Sequence, residues 1–167
     1  MGIGTRLSQA VVGMAMLAAL PAPAQEQEQS ARMADGFAHL HGFGEGVAAV
    51  LAASAPIKRV QMVEGANGKI LLKTYRQPGI ELRTMSGGDK PFPASLTVSR
   101  ADYPLPLGLR IGALRGAVED ALGAPSTSGD TLVLRRSRGD GCADPIVLTF
   151  RGKALSRVAW TWETCTD

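Results

Sequence analysis

Apolar residues change their spacing several times along this chain, and each change marks an element. Val11 to Leu20 is apolar throughout except for Gly13, and a polar run, Gln25 to Ser30, follows it. Phe37, Leu40, Phe43, Val47, Val50 and Leu51 then recur at steps that suit one face of a helix. Gly42, Gly44 and Gly46 interrupt that face, and each costs about 1 kcal/mol relative to alanine in a helix interior. The pattern therefore predicts a helix near residues 37–54, firm only from Glu45 to Ser54, and ended by Ala55-Pro56.

Short alternating runs come next and read as strands. Lys58 to Val63, Lys69 to Arg76, Ile80 to Met85 and Leu96 to Arg100 are four of them. Ala66-Asn67-Gly68 and Gln77-Pro78-Gly79 supply turns, and Ser86 to Pro93 reads as a loop. Tyr103 to Gly108, with Pro104 and Pro106, forces extended backbone and joins two halves of the chain.

In the second half, Gly112 to Leu122 predicts a helix with Leu114, Val118 and Leu122 on its buried side. Gly123 supplies the C-terminal cap and Pro125 stops continuation. Thr131 to Arg136 is a strand, and Ile146 to Phe150 with Leu155 to Trp162 forms a hairpin around Arg151 to Ala154. Ile146, Leu148 and Phe150 alternate on one strand, as do Val158, Trp160 and Trp162 on its neighbour, and both rows read as the core face that receives the helices.

These elements define an α+β protein, an antiparallel β-sheet of six or seven strands with helices packed on one face. Both halves follow one order, a helix, an Ala-Pro pair, then strands, so the chain also reads as two α-β-β(-β) halves, residues 37–102 and 107–167. An internal duplication and the ordinary grammar of a small α+β chain account equally well for that order.

Composition supports a folded chain and places it outside the cytoplasm. Of 167 residues, 45% are hydrophobic, 5% aromatic and 20% charged, as in ordinary globular domains. The apolar run to Leu20, the A-x-A sequence Ala22-Pro23-Ala24 and the polar run after it have the form of a secretory signal peptide over residues 1–24. The apolar run is too short to span a bilayer. Residues 25–36 read as a polar leader, and residues 37–167 as a single α+β domain, exported to the periplasm or secreted. No cysteine lies near the cut, so no lipid anchor is expected, and no stable membrane span. Of 18 basic and 15 acidic side chains, only Arg6 leaves with the signal peptide, so the net charge falls from +3 to +2, which is too small to argue for nucleic acid or acidic lipid.

The two cysteines, Cys142 and Cys165, flank the last hairpin. If Phe150 faces Leu155, Cys142 falls opposite Glu163, within reach of Cys165. An oxidising compartment then favours a Cys142–Cys165 disulfide, worth about 3 kcal/mol. Without a C-x-x-C motif, a catalytic thiol pair is not expected.

Candidate chemistry is sparse. His39 and His41 would project to one side of an extended segment, but two ligands do not make a zinc site, and both read as surface loop residues. Glu119-Asp120 reads as the solvated side of a helix, and Asp140 and Asp144 as turn residues. No nucleophile elbow, zinc-protease or phosphate-loop motif is present, so no catalytic residue, metal or cofactor is expected and the protein reads as a non-enzyme. Arg135, Arg136 and Arg138 form the basic cluster and the candidate interaction face.

The stretch Gly112 to Pro125, with Val118, Leu122 and Gly123, together with Val147 to Leu155, resembles the BamE-like (SmpA/OmlA) family over residues 108–163. β-lactamase inhibitor proteins look like tandem versions of the same fold. The resemblance implies a small exported α+β unit that works through protein–protein contacts in the cell envelope, although this chain lacks the lipidation cysteine of family members that assist outer-membrane assembly. The resulting expectation is a soluble periplasmic accessory or binding protein with an envelope protein partner. An inhibitor of an exported enzyme is the alternative, acting through Ser86 to Pro93 or Arg138 to Asp144. A hydrolase with a dispersed site is a third reading, and it requires a pocket holding His39 or His41 beside Asp or Ser.

Overall fold

The computed structural model describes residues 22–65, 68–86, 91–101, 103–126, 128–136 and 142–162. Helix α1 (Ala22–Ser54) precedes four strands, β1 (Ile57–Gly65), β2 (Gly68–Gln77), β3 (Ile80–Ser86) and β4 (Phe92–Val98). A single helical turn at Pro106–Gly108 leads into α2 (Arg115–Leu122), then β5 (Thr131–Leu134), β6 (Ile146–Arg151) and β7 (Ala154–Thr161). All seven strands form one antiparallel sheet in the order β1-β2-β3-β4-β7-β6-β5. The protein is thus α+β, and each half of the chain ends on a strand at the middle of the sheet, where β4 pairs with β7.

One face of the sheet is the core. Ile80 and Leu82 on β3, Leu96 and Val98 on β4, Val158 and Trp160 on β7, and Ile146, Leu148 and Phe150 on β6 are all buried there. Phe37, Leu40, Val47, Ala48 and Leu51 of α1 pack onto them. The alternation read along β6 and β7 is the core face, as their sequences indicate.

Helix α1 departs most from the sequence reading. It runs unbroken through Gly42, Gly44 and Gly46, and it includes residues 25–36, expected as a polar leader. The reason is tertiary. A Cβ on Gly44 would lie 2.7 Å from the Trp160 ring, so glycine is what lets the helix rest on the indole. The Trp160 Nε1–H donates to the Leu40 carbonyl at 2.8 Å, one turn earlier in the same helix. Gly36 similarly closes on Leu122 of α2, where an added Cβ would sit 3.1 Å from that side chain. Packing therefore outweighs the weak intrinsic propensity of the glycines.

Smaller differences have equally local causes. Leu114, expected on the buried side of α2, is its N-cap and 65% exposed. Glu119, expected in solvent, is buried, because Arg115 Nε donates to it at 2.7 Å while the Arg115 guanidinium lies 4.7 Å from the Phe150 ring centre. Gly123 caps α2 in the left-handed region (φ 61°), as its position indicates. Phe150 does face Leu155, but a register shift between Thr149 and Phe150 sets Ile146 against Trp160. The simple register that put Cys142 opposite Glu163 therefore does not hold beyond the hairpin tip. Cys142 is buried, and Cys165 lies outside the described residues.

Two glycine-to-alanine variants separate contact from propensity. Gly44→Ala should lower stability by about 1–3 kcal/mol, the usual cost of an overpacked core. Gly46→Ala, where an added Cβ meets nothing within 4 Å, should raise it by roughly 0.5–1 kcal/mol. Urea unfolding of the two proteins measures both, and equal shifts would mean that the Trp160 contact does not set the helix position.

Candidate functional site

Both helices lie on one side, so neither covers the opposite, open face among the described residues. Alternation puts short polar and charged side chains there: Arg76 on β2, Glu81 and Arg83 on β3, Ser95 and Thr97 on β4, and Arg157 on β7. They surround a shallow hollow of about 500 Å³. A second hollow of about 360 Å³ continues toward β1, bordered by Lys58, Arg59, Gln61, Leu72 and Thr74. Together the two hollows carry five basic side chains and a single carboxylate, Glu81.

Glu81 organises the centre of this face. Arg76 donates to one carboxylate oxygen through both Nε, at 3.0 Å, and Nη2, and Arg83 Nε donates to the other at 3.1 Å. The hydrogen bonds from Arg76, followed by the charge and hydrogen bonding of both arginines, hold the Glu81 carboxyl below the usual range, with partial burial opposing them. The carboxylate fixes both guanidinium groups against the sheet. Arg157 rests against Thr149, its Nη2 3.5 Å from the hydroxyl oxygen. The open face therefore carries an excess of positive charge and several hydroxyl groups around its two hollows. Such a surface suits carboxylates on a partner, where electrostatic complementarity sets orientation and association rate.

A second feature lies on the helix side. His41 faces a groove of about 650 Å³, lined by Phe37, Ala38, Gly42, Glu45, Arg136 and Asp144. Its Nε2 is 3.5 Å from the Asp144 carboxylate and its Nδ1 is 3.7 Å from Glu45. The imidazole stacks on Phe37 with ring centres 5.4 Å apart and meets the edge of Trp162 at 6.4 Å. His39 is exposed and 3.5 Å from Asp35. The two histidines are on a helix rather than a loop, so they point to different sides instead of one. Asp144, read as a turn residue, is buried. Among the described residues no cluster of three or more histidine, cysteine or acidic side chains could hold a metal.

The structure partly assembles the arginine cluster. Arg135 and Arg136 follow β5, are exposed, and border the grooves beside α1 rather than the open face. Arg138 and Asp140 lie outside the described residues. Sequence reasoning missed the open face. Its residues are spread over five strands, and the one available signal was the polar half of each alternating run. Among the described residues no helix is long and apolar enough to cross a membrane.

Compared with known proteins, the chain matches no family model, no curated protein and no solved structure.

The Glu81 network has a pH signature. A carboxyl held below its ordinary pKa stabilises the folded state at neutral pH, and this contribution fades as pH falls below about 4.3, the ordinary value for glutamate. Glu81→Gln should therefore be less stable at pH 7, by no more than about 1 kcal/mol for a partly exposed network. The gap between variant and parent should close under acid conditions. Denaturation curves between pH 7 and pH 3 measure this, and a gap that widens with acid would contradict the assignment.

Proposed function

We propose that this chain is an exported accessory or binding protein that docks an envelope protein through the open face of its sheet. The observation that carries this reading is the one-sided packing. Among the described residues no layer covers a broad sheet face, and its hollows hold Lys58, Arg59, Arg76, Arg83 and Arg157 around one carboxylate, Glu81. The partner surface it fits is acidic. The resemblance of residues 108–163 to the BamE-like family agrees with protein–protein work in the envelope. The apolar run ending at Leu20, followed by Ala22-Pro23-Ala24, supplies the export signal in this reading.

A second reading rests on the His41 groove. A histidine beside a buried carboxylate is the pairing a general base requires, and the groove could admit a small substrate. It ranks lower because none of the described lining residues is a serine, threonine or cysteine that could act as nucleophile. The remaining alternative, inhibition of an exported enzyme, rests on the segments Ser86 to Pro93 and Arg138 to Asp144 entering a cleft, and residues 87–90 and 138–141 of these lie outside the described residues.

Photo-crosslinking in intact cells tests the docking face. A crosslinker at Ser99, on the rim of the main hollow, should trap one defined envelope protein, and one at Gln29 on α1 should not. Arg83→Glu combined with Arg157→Glu should cut the Ser99 yield at least tenfold. Trapping from Gln29 alone, or a yield unaffected by the charge reversal, would overturn the reading. Recovery of an exported enzyme from Ser99 would make the protein an inhibitor acting through the same face.

Export makes a separate prediction about covalent state. The intact mass of the protein recovered outside the cytoplasm should correspond to a chain beginning at Gln25. It should take up no thiol-alkylating reagent unless first reduced, as a Cys142–Cys165 disulfide requires. Full alkylation without reduction would exclude that bond.

A further inference from the structure

The two edges of the sheet differ in kind. At one end is β5, only four residues long and followed directly by Arg135 and Arg136. Short strands and adjacent charge are common ways of protecting an edge from pairing. At the other end is β1, nine residues long and, among the described residues, paired on one side only, to β2. Proline is absent from β1, and its one irregularity, between Ile57 and Arg59, lies at its start. Its apolar side chains are open to solvent: Ile57 is 47% exposed, Val60 54%, Met62 65% and Val63 36%. Val60 and Met62 face the helix side of the sheet, opposite Lys73 and Leu71 of β2, and α1 does not bury them.

The sequence of β1 is complementary to its own reverse. Positive charge collects at its start, on Lys58 and Arg59, and Glu64 lies near its end. If a second copy of β1 runs antiparallel with Gln61 facing Gln61, Val60 falls opposite Met62 on the helix side of the sheet, and the basic end of each copy runs beside the Glu64 end of the other. Each of these pairings occurs twice, as a twofold axis demands. Apolar side chains facing one another across antiparallel strands add to the backbone hydrogen bonds of the junction. A parallel copy would instead set Lys58 and Arg59 against themselves.

We propose that the chain forms a twofold dimer by antiparallel pairing of β1 with β1, centred on Gln61. The seven-stranded sheet then continues across both chains. Antiparallel pairing about an axis normal to the sheet keeps equivalent faces on the same side, so the two open basic faces join into one surface. This inference stands on β1 alone and does not depend on what that face binds.

Sedimentation velocity of the full exported chain over a hundredfold concentration range tests it. The expected result is a reversible monomer–dimer equilibrium. Val60→Lys places a lysine at an exposed position in the middle of the junction and should weaken dimerisation at least tenfold, leaving the circular dichroism spectrum unchanged. Adding Met62→Glu to that variant sets the introduced acid of one copy against the introduced base of the other, and should restore dimerisation. Restoration distinguishes this register from general adhesion of apolar surface. A chain that stays monomeric at every concentration overturns the proposal. So does a dimer indifferent to Val60→Lys, or a double variant no tighter than the single one.

Discussion

The fold depends on one contact, the seat of α1 on Trp160. The indole lies beneath Gly44 and its N–H is bonded to the Leu40 carbonyl. Trp160 is on β7, opposite Leu96 of β4 on one side and Ile146 of β6 on the other. It is therefore at the seam where the two halves of the chain meet. A helix from the first half is fixed to a strand of the second across a distance that no larger residue at position 44 would permit. The hydrogen bond is unusual for a helix interior, since the Leu40 carbonyl must serve the indole as well as its own helix. It sets the depth and rotation of the helix together, and those decide which α1 side chains are buried.

Rotation has consequences on both sides of the helix. With Leu40, Val47 and Leu51 directed at the sheet, His41 turns toward the segment that carries Asp144, and His39 turns to solvent. Because α1 lies along the same face as α2, nothing comes from the helices to cover the other. α2 is held in place by the Arg115–Glu119 pair, with Arg115 lying over Phe150, so its position is also tied to the core face. A sheet covered on one side must satisfy solvent on the other, and this chain does so with threonine, serine, arginine and glutamate at the outward positions. Glu81 holds two of the arginines in fixed orientation.

The strands were legible because two-residue periodicity is local. Six lie within two residues of where alternation puts them, and the turns at Gly79 and Gly152 fall where the sequence breaks. β4 starts four residues earlier than expected, at Phe92, inside the stretch read as a loop, because Phe92 and Pro93 pair with Met85 and Thr84 of β3. The cap at Gly123 was legible for the same reason. What was hidden depends on long-range contact. Gly44 looks like a helix breaker until Trp160, far along the chain, is set against it. Glu119 looks solvated until Phe150 supplies a surface for Arg115 to cover. His41 and Asp144 are separated by most of the domain. The open face is a special case: every residue in it could be assigned to the outward side of a strand, but the neighbourhood of Arg76, Arg83 and Arg157 depends on strand order, which periodicity does not contain.

Strand order also gives the two edges different meanings. Meanders built outward from a central β4–β7 pair necessarily end on two strands with one neighbour each, β1 and β5. β5 is short, so little backbone is left unpaired there. β1 is long because the β1–β2 hairpin is long, pairing residues from Ile57–Tyr75 to Gly65–Gly68. A hairpin that extends past the helix gains ladder hydrogen bonds but leaves Val60 and Met62 exposed on the helix side, beyond the end of the helix layer. Such a strand is stable in isolation only at the cost of solvated apolar surface, whereas a partner strand removes that surface and completes the backbone hydrogen bonds at once. The same architecture that leaves one sheet face open for charge therefore leaves one sheet edge open for pairing, and the two are perpendicular, so occupying one does not obstruct the other.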